Sequence, residues 1–363
     1  MIENNNTTDI NEDGTAQKLY IIILNWNGTG DTIECLETVK ENSYDNYTTI
    51  VVDNGSEEQS LNALKKWCGA NFTKMVLYSK REAEQGGTIE GEKLLENEKS
   101  DERIVIIENK DNLGFAAGNN VALKYMLKSN ATFAMLLNND TLIQKDSLVK
   151  LMQLFKQNPD YVAATPQIRY YQPSDRIWNC GGKITWYGNR KYYYAGKKVS
   201  KTPQTGFRRI TFITGCALIF KPRIAGMLSE KFFFGEEDLD FSFRQKIEKR
   251  NIACCFSSVI YHKVSASVKR ENVEILGHIY LHYLSRFINI RQYYSPFMFV
   301  LAIIINLGYG IPMIVLRYRV NIRQVFNMVL MIVKELKRLD RIDREYCFNC
   351  LSEQFKYPIT WNT

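Results

Sequence analysis

The feature that most constrains the fold is a repeated order of short aliphatic run, polar loop and helical segment. The first two runs with their loops are Leu19–Leu24 with Asn25-Trp26-Asn27-Gly28, and Thr48–Val52 with Asp53-Asn54-Gly55-Ser56. Asp31–Glu41 and Glu57–Trp67 follow them with apolar residues at helical spacing. This alternation predicts an α/β fold in which helices cover both faces of a largely parallel sheet.

The same order continues towards the middle of the chain. Further predicted strands are Lys74–Tyr78, Ile104–Glu108, Thr132–Leu137 and Tyr161–Thr165, and further predicted helices are Ala116–Lys128 and Lys145–Gln157. Ser79–Arg103 is rich in Glu, Lys and Gly, which favours a solvated insertion loop. Arg169–Arg209 has no clean period and is interpreted as short strands and irregular structure that line a cleft.

Composition bounds the class of protein. The 363 residues have a formal net charge of +8, which suits an anionic partner such as a nucleotide diphosphate or an acidic membrane face. No nucleic-acid-reading motif accompanies this charge, so nucleic acid is not predicted as a partner. The eight cysteines are scattered, which indicates reduced thiols. Residues 1–17 are polar and predict a disordered tail, neither signal peptide nor anchor, on a protein that stays in the cytoplasm.

The C-terminal region differs from the rest of the chain in its residue composition. Phe297–Leu316 is an uncharged apolar stretch long enough for a membrane span of ~20 residues. Basic residues flank it, and Gly and Pro interrupt it, which also suits a half-inserted or interfacial helix. The alternatives are a buried helical hairpin and a homodimer interface. We predict a membrane-associating helical region over residues 272–363, with residues 279–344 at the membrane surface, after a catalytic domain over residues 18–271.

The end of the strand at Leu136–Leu137 carries the first chemical motif, Asn138-Asn139-Asp140. Ligands of open α/β sheets bind beyond the carboxyl ends of the strands, and a carboxylate there suits Mg²⁺ or Mn²⁺. A plain turn with Asx capping explains the motif equally well. Asp53, at the end of an earlier strand, is likewise either a group that binds a base or ribose or the start of a β-turn.

A glycine-containing loop, Asn112 to Asn120, opens a helix after a strand. Such a helix N-terminus favours phosphate, although a Gly-assisted turn is the simpler explanation. Further along, Gly235-Glu236-Glu237-Asp238-Leu239-Asp240 concentrates carboxylates that resist joint ionisation, which fits a general base. Acids that favour the start of a helix are the alternative. His262 closes an apolar run and is either a metal ligand or a structural histidine.

In this order, the motifs resemble those of the inverting family 2 glycosyltransferases with a GT-A fold, and in particular the rhamnosyltransferase-like branch of bacterial surface polysaccharide synthesis. The resemblance runs from about Leu19 to Val268. It rests on Ile23 to Gly28, Val52 to Ser56, Asn112 to Asn120, Leu137 to Asp140, Gly215-Cys216-Ala217, Gly235 to Asp240 and His262. It implies a Rossmann-like, nucleotide-sugar-binding mixed sheet.

The resemblance also implies residue roles. Asp238 would be the general base beside Glu237, and Asp140 and His262 would hold Mg²⁺ or Mn²⁺. Trp178 and Arg244 would contact the acceptor. The predicted nucleotide-sugar-binding residues are Asn25, Asn27, Asp53, Asn54, Asn112, Gly114, Phe115, Gly118, Asn119, Asn138 and Asn139. Asn138 replaces the first acid of the family's Asp-x-Asp motif, which leaves one carboxylate for the metal.

The predicted function is therefore transfer of one sugar, with inversion, from a dTDP- or UDP-linked donor to a hydroxyl of a glycan or lipid-linked acceptor. Rhamnose is the leading candidate sugar, and the predicted location is the cytoplasmic face of the cell membrane, peripheral or single-pass. The Gln-x-x-Arg-Trp signature of processive synthases is absent from the sequence. A nucleotidyltransferase and a non-catalytic sugar-binding scaffold are the alternatives.

Overall fold

The computed structural model describes residues 17–129, 131–264, 275–318 and 321–351. Residues 1–16 of the predicted tail (residues 1–17) and the predicted boundary near Asn272 lie outside the described residues. The first elements are β1 (Leu19–Asn25), α1 (Thr29–Lys40), β2 (Tyr47–Asn54), α2 (Glu58–Asn71) and β3 (Lys74–Ser79). These are the predicted strands and helices, each longer by a few residues at one or both ends.

The segment after β3 differs from its prediction as a solvated loop. It forms two short helices, α3 (Lys80–Gln85) and α4 (Ile89–Leu95), and a 3-10 turn at Ser100–Glu102. The Ser79 side chain accepts from the Glu82 N–H, and the Glu82 carboxylate accepts from the Ser79 N–H, which makes a capping box. The Glu92 carboxylate accepts from the Tyr78 hydroxyl at 2.9 Å and the Tyr125 hydroxyl at 2.7 Å. Buried hydrogen bonds therefore anchor the insertion to the domain.

The chain then completes a mixed sheet. The next elements are β4 (Arg103–Asn109), α5 (Gly114–Leu127), β5 (Phe133–Asn138), β6 (Thr141–Ile143), α6 (Ser147–Gln157), β7 (Tyr161–Tyr170), β8 (Ile177–Asn179), β9 (Gly182–Ile184), β10 (Arg190–Tyr192), β11 (Phe207–Ile210), β12 (Ala217–Phe220), α7 (Pro222–Ala225), α8 (Glu237–Ile247) and β13 (Asn251–His262).

Among the described residues, eleven of these strands form one sheet. Its order is β11-β13-β7-β12-β5-β1-β2-β4-β3, with β6 paired to β13 and β8 to β7. Strands β5, β1, β2, β4 and β3 are parallel, whereas β12 runs antiparallel between β5 and β7. The strands β9 and β10 form a separate antiparallel hairpin.

Apolar residues of each central strand alternate between two cores, because successive side chains of a strand point to opposite faces. Tyr20 and Ile22 of β1 join the cluster under α5, and Ile21 and Ile23 join the cluster under α1, α2 and α6. Both faces are dry, which explains why these strands read as continuous aliphatic runs in the sequence.

The C-terminal helices are α9 (Ile275–Tyr293), α10 (Pro296–Tyr318), α11 (Ile322–Glu335) and α12 (Arg344–Leu351). They share a third core with α8, in which Leu239 and Phe243 pack with Leu284 and Phe287 of α9. The Tyr293 ring stacks on Phe243 with 4.9 Å between the centroids. The C-terminal region is therefore joined to the rest of the protein through α8, the helix that follows the acidic cluster.

Among the helices that the structure describes, α10 alone is long and apolar enough to cross a membrane, from Pro296 to Leu316. Within its most apolar window, 28% of the residues are buried against the protein, so α10 is not a core helix. One side is attached, since Asn306 Nδ2 donates to the Tyr187 carbonyl at 2.9 Å. Elsewhere on α10, large apolar residues are exposed, among them Phe297, Ile304 and Leu316.

Candidate functional site

The polar strand ends predicted from the sequence lie side by side at one edge of the sheet. In the register of the ladder, Asn25 pairs with Asp53, and Asn54 pairs with Asn109. Leu24 pairs with Asn138 of β5. Because these four strands are parallel, their carboxyl ends open on the same side, where α/β proteins bind ligands.

Asn25 and Asp53 are hydrogen-bonded to each other at this edge of the sheet. Asn25 Nδ2 donates to Asp53 Oδ1 at 2.9 Å and to Ser56 Oγ at 3.3 Å. Asn25 Oδ1 accepts from the Gly28 N–H at 3.2 Å and from Thr32 Oγ1 at 2.9 Å. An amide side chain offers two donors and two acceptor positions, so Asn25 is fully used within the protein. Its role in these contacts is to hold the loop rather than to bind a ligand directly.

Asn54 plays the same part under the glycine-containing loop. Its Oδ1 accepts from Asn109 Nδ2 at 3.1 Å and from the Leu113 N–H at 3.2 Å. Its Nδ2 donates to Asn112 Oδ1 at 2.9 Å and to the Gly114 carbonyl at 3.2 Å. Asn54 therefore shapes the loop and has no hydrogen-bonding capacity left for a nucleotide.

The loop itself needs glycine where it starts α5. Gly114 has φ of +82°, and a Cβ there would lie 2.1 Å from the Phe233 carbonyl oxygen. Gly118 packs α5 on the sheet, since a Cβ would lie 2.7 Å from Leu24 Cδ1. Asn119 is buried and donates to the Phe115 carbonyl at 2.9 Å. Gly118 and Asn119 thus lie inside the domain, and these contacts do not support direct ligand binding.

Other predicted donor-binding residues remain at the surface of the edge. Asn27 is exposed, and Asn112, Phe115, Asn138 and Asn139 are half-buried. Asn139 Nδ2 donates to Thr32 Oγ1 at 3.1 Å, which ties the end of β5 to α1. Asp53 is buried, and its two oxygens accept from Asn25 Nδ2 and, at 3.0 Å, from the Ser56 N–H.

Asp140 and His262 come together although they are far apart in the sequence. The ladder between β13 and β6 places His262 opposite Thr141, and the Lys263 N–H donates to the Asp140 carbonyl at 3.0 Å. A bulge in β13 sets this register, since pairing with β7 stops at Cys255 and resumes at Val259. The Lys263 ammonium binds Asp31 at 2.6 Å and Glu34 at 2.8 Å on α1, which fixes the strand end.

The side chains of this pair fit two ligands of one divalent cation. Asp140 Oδ1 lies 3.1 Å from His262 Nε2, close to the ~3 Å between adjacent ligands of an octahedral shell at ~2.1 Å from the metal. Asp140 Oδ1 is buried and makes no hydrogen bond within the described residues. Those residues contain no group of three or more His, Cys, Asp or Glu that could hold a metal. A cation here needs ligands from a bound molecule.

The two predicted acceptor-binding residues have different surroundings. Trp178 packs edge-on against His262, with 4.4 Å between the ring centroids, so it lies at the predicted metal pair. Arg244 donates to Asp240 Oδ2 at 3.0 Å and to the carbonyls of Ala225 at 3.1 Å and Met227 at 2.7 Å. The guanidinium of Arg244 is thus engaged in fixing α8 and α7, and these contacts do not support an acceptor role.

The acidic cluster opens α8 and is held by arginines. Arg190 of β10 binds Glu236 at 2.6 Å and Asp238 at 3.1 Å. Arg286 of α9 binds the same Glu236 oxygen at 3.2 Å, and Asn289 donates to the Glu236 carbonyl at 3.0 Å. The sequence arguments missed Arg190, Arg286 and Asn289. A charged residue within the apolar pattern of α9 was the available signal for Arg286.

The three neighbouring carboxyl groups differ in protonation. Burial raises the pKa of Glu236, but Arg190 and Arg286 outweigh this and hold the pKa at about 2. Burial and the charge of Asp238 raise the pKa of Glu237 to about 8. Burial also raises the pKa of Asp238, while Arg190 opposes that shift. On consecutive residues, the pKa is therefore lowered at Glu236 and raised at Glu237 and Asp238.

Comparison with known proteins agrees with this architecture. Residues 87–224 match the family described as Glycosyl transferase family 2. The matched range includes the glycine-containing loop, β5, Asp140 and Trp178, but not Asp53, Asp238 or His262. No curated protein matches the sequence.

Among solved structures, 189 chains match this fold. One is the crystal structure of GalNAc-T7 with UDP, GalNAc and Mn2+, with a TM-score of 0.50 and 10% sequence identity. The match covers 76% of this chain and 48% of that chain, so this protein spans about half of that protein's length. At this identity the likeness concerns the fold. The predicted GT-A-like mixed α/β fold is confirmed, and the family match and the fold together support glycosyl transfer.

Proposed function

We propose that this protein is an inverting glycosyltransferase that moves one sugar from a nucleotide-diphosphate sugar to an acceptor hydroxyl. The observation that carries the proposal is the buried pair Asp140 and His262, 3.1 Å apart beyond β5 at the carboxyl edge of the sheet. The family match over residues 87–224 and the fold support this class of reaction. UDP in the similar structure favours a UDP-linked donor, and a dTDP-linked donor such as dTDP-rhamnose is the second candidate.

The donor would lie along the edge formed by β5, β1, β2 and β4. Asp53 would read the base through its remaining lone pairs, and Asn112 and Phe115 would line the nucleotide pocket. Asn27, Asn138 and Asn139 would contact the ribose or phosphates. Asn25, Asn54, Gly114, Gly118 and Asn119 form the framework that shapes this pocket, as their internal contacts indicate.

Asp140 and His262 would hold one divalent cation, Mg²⁺ or Mn²⁺, together with the donor diphosphate. When bound, the cation supplies charge stabilisation to the departing nucleotide diphosphate. Because the described residues offer two ligands here, cation binding is expected to depend on the nucleotide. Trp178 limits how His262 can turn, since the two rings pack at 78° to each other.

Asp238 would be the general base that takes the proton of the acceptor hydroxyl. Its Oδ1 lies 3.1 Å from Arg190 Nη1, which favours the ionised carboxylate required for that step. Glu237, with a raised pKa, would stay protonated beside it and lend no competing charge. Attack opposite the leaving group inverts the configuration in one displacement, and alignment of the two substrates supplies much of the rate.

We also propose that the acceptor is a glycan or a lipid-linked oligosaccharide met at the cytoplasmic face of a membrane. The exposed apolar side of α10 supports this location, since Phe297 is 76% and Leu316 79% exposed. A role in bacterial surface polysaccharide synthesis follows from the resemblance of the motifs.

The decisive experiment is a panel of UDP- and dTDP-linked sugars with the full-length protein, with and without Mn²⁺ or Mg²⁺. We expect one donor to raise the melting temperature only when the cation is present, and to be hydrolysed slowly without acceptor. Asp140→Asn and His262→Gln should each weaken this nucleotide-dependent cation effect about 10- to 100-fold. Glu58→Gln, at an exposed position of α2, is the control and should retain it.

Two outcomes would favour the alternatives. Binding of a nucleotide sugar without hydrolysis or transfer to any glycan would indicate a non-catalytic sugar-binding scaffold. Formation of a nucleotide sugar from a nucleoside triphosphate and a sugar phosphate would indicate a nucleotidyltransferase. The first loop, Asn25 to Gly28, lacks the Gly-rich basic signature expected for that reaction.

A further inference from the structure

A closed polar ring lies beneath the first turn of α8. Arg190 Nη2 binds Glu236 Oε1 at 2.6 Å, and Arg286 Nη2 binds the same oxygen at 3.2 Å. The ring closes through Asn189, whose Oδ1 accepts from Arg286 Nη1 at 2.9 Å and from the Arg190 N–H at 2.8 Å. Three elements meet here: the β9–β10 hairpin, the start of α8 and the middle of α9.

Glu236 is the residue through which this ring acts on α8. It precedes the helix with φ of +70°, in the left-handed region that costs a non-glycine residue roughly 1–2 kcal/mol. Its carbonyl accepts the first bond of the helix, from the Asp240 N–H at 2.9 Å, and also the bond from Asn289 at 3.0 Å. Asp238 follows two residues later, so the direction of its side chain depends on how Glu236 is held.

The ring is a poor way to stabilise the folded state. Glu236 Oε2, Arg286 Nε and Asn289 Oδ1 are buried and make no hydrogen bond within the described residues. Each such atom loses hydration without recovering it, at a cost of about 1–3 kcal/mol. Well-packed apolar residues commonly match or exceed the stability of a buried charged cluster. What the cluster does provide is a fixed geometry of Glu236 and the first turn of α8.

We propose that Arg286 and Asn289 of α9 are positioning residues, which hold the general base Asp238 by fixing Glu236 and the first turn of α8. The proposal rests on the proposed function, since it concerns the base of that reaction. It makes the C-terminal region a working part of the active site, in addition to its place at the membrane.

The charges around Asp238 give this proposal a distinct signature. Arg190 and Tyr192 face it from β10, Glu236 and Glu237 from its own helix, and Arg286 from α9. His282 of α9 also faces this cluster, with its Nδ1 3.6 Å from Glu236 Oε1. Arg286 favours the ionised base, so its loss must raise the pKa of Asp238.

The test compares Arg286→Gln with Arg338→Gln, which removes the same charge from an exposed position of the C-terminal region. Transfer rates are measured against pH, and affinity for UDP and dTDP with Mn²⁺ is measured by calorimetry. We expect Arg286→Gln to lower kcat about 10- to 100-fold, to leave nucleotide affinity within twofold, and to move the acidic limb of the profile to higher pH. Arg286→Lys should return the acidic limb of the pH profile to its wild-type position and restore kcat only in part.

A second readout needs no activity. Amide hydrogen exchange of Asp240, whose N–H donates to the Glu236 carbonyl, should be faster in Arg286→Gln and in Asn289→Leu, a variant of similar size, than in the wild type or Arg338→Gln. Asn289→Leu also serves if Arg286→Gln does not fold. A wild type without transferase activity but with this exchange pattern would refute the proposed function, and would leave Arg286 and Asn289 only with the task of fixing the first turn of α8. Unchanged exchange and an unmoved pH limb would overturn the positioning role, as would a parallel loss of nucleotide affinity.

Discussion

At the scale of the residue, the acidic cluster shows how surroundings divide identical groups into different tasks. Glu236 and Glu237 are neighbours with the same side chain, yet the first has a pKa of about 2 and the second of about 8. Two arginines account for the first, and burial beside Asp238 accounts for the second. Two cations thus balance Glu236 and Asp238, and the third carboxyl group keeps its proton.

Replacing Asp238 by Asn tests its role as the base. We expect kcat to fall about 10²- to 10⁴-fold, the range that a general base contributes, because the amide cannot accept the proton. Donor affinity should stay near that of the wild type, since Asp238 takes no part in the proposed donor pocket. Calorimetry with the nucleotide and steady-state kinetics measure the two quantities. Loss of donor binding in Asp238→Asn would contradict the assignment.

Glu237 predicts how stability depends on pH. Its folded pKa of about 8 exceeds the unfolded value, so the folded protein keeps a proton that the unfolded chain loses. Below about pH 4, the carboxyl group of Glu237 does not destabilise the folded state. Between about pH 4 and pH 8 it lowers the free energy of unfolding progressively, by at most about 1.4 kcal/mol per pH unit. Glu237→Gln should therefore unfold at higher urea than the wild type at pH 8, and at similar urea at pH 4.5.

A matched substitution controls for the loss of one surface charge. Glu58→Gln, on the exposed side of α2, should leave the difference between the two pH values unchanged. If Glu237→Gln loses stability equally at both pH values, Glu237 is ionised in the folded state and the balance of charges above is wrong.

At the scale of the element, the insertion between β3 and β4 is folded although its sequence gives few signs of secondary structure. Its helices are too short for helical periodicity, and most of their residues are charged. The capping sequence Ser79-Lys80-Arg81-Glu82 was the readable sign of structure. By contrast, the central strands were predictable because burial on both faces makes them continuous apolar runs.

The capping box gives a prediction for this element. Ser79→Ala should destabilise α3 by about 1 kcal/mol, because it leaves the Glu82 N–H without its partner. Amide exchange within α3 and the urea midpoint of the protein measure the loss. Lys80→Ala, at the next position, keeps the cap and should change stability by less than about 0.5 kcal/mol. Equal effects of both substitutions would show that the cap does not hold the insertion.

The candidate site could be predicted in part for the same physical reasons. Asp53, Asn138 and Asp140 follow apolar strands, so their place at one edge follows from a parallel sheet. Asn25 and Asn54 follow the same rule, but their internal hydrogen bonds depend on neighbours that no local pattern reveals. Arg190 and Arg286 lie 46 and 50 residues from Glu236, in segments without a clean strand or helix motif, and so escaped the sequence arguments.

At the scale of the whole molecule, the C-terminal helices are attached to the candidate site and also expose apolar side chains. Asn306 holds α10 to the carbonyl of Tyr187, in the hairpin that also carries Arg190. On α11, Ile322 and Phe326 are also exposed, each at 57%. A helix attached along one side is better placed to lie in the plane of a membrane than to cross it.

Vesicle flotation tests this orientation with the full-length protein. We expect the wild type to float with vesicles that contain anionic phosphatidylglycerol, because apolar burial and the positive net charge act together. Phe297→Asp and Ile304→Asp combined should lower the bound fraction at least about tenfold. Ile89→Asp, in the insertion and 71% exposed, is the matched control and should bind like the wild type.

Other results would assign this surface differently. Retention after a carbonate wash would favour a transmembrane span over an in-plane helix. Dimerisation that Phe297→Asp and Ile304→Asp abolish, without any binding to vesicles, would make the exposed side an interface between two copies of the chain. Equal losses in Ile89→Asp would show that the substitutions act through general stability.

Because of the bulge between Cys255 and Val259, the number of residues in β13 determines which side chain faces Asp140. Three residues, Phe256 to Ser258, stand where the partner strand has none, and they decide which side chain arrives opposite Thr141. Deleting one of them would present a neighbour in place of His262 to Asp140 and turn alternate side chains to the other face. A single-residue deletion here would bring Lys263 into the position of the His262 imidazole.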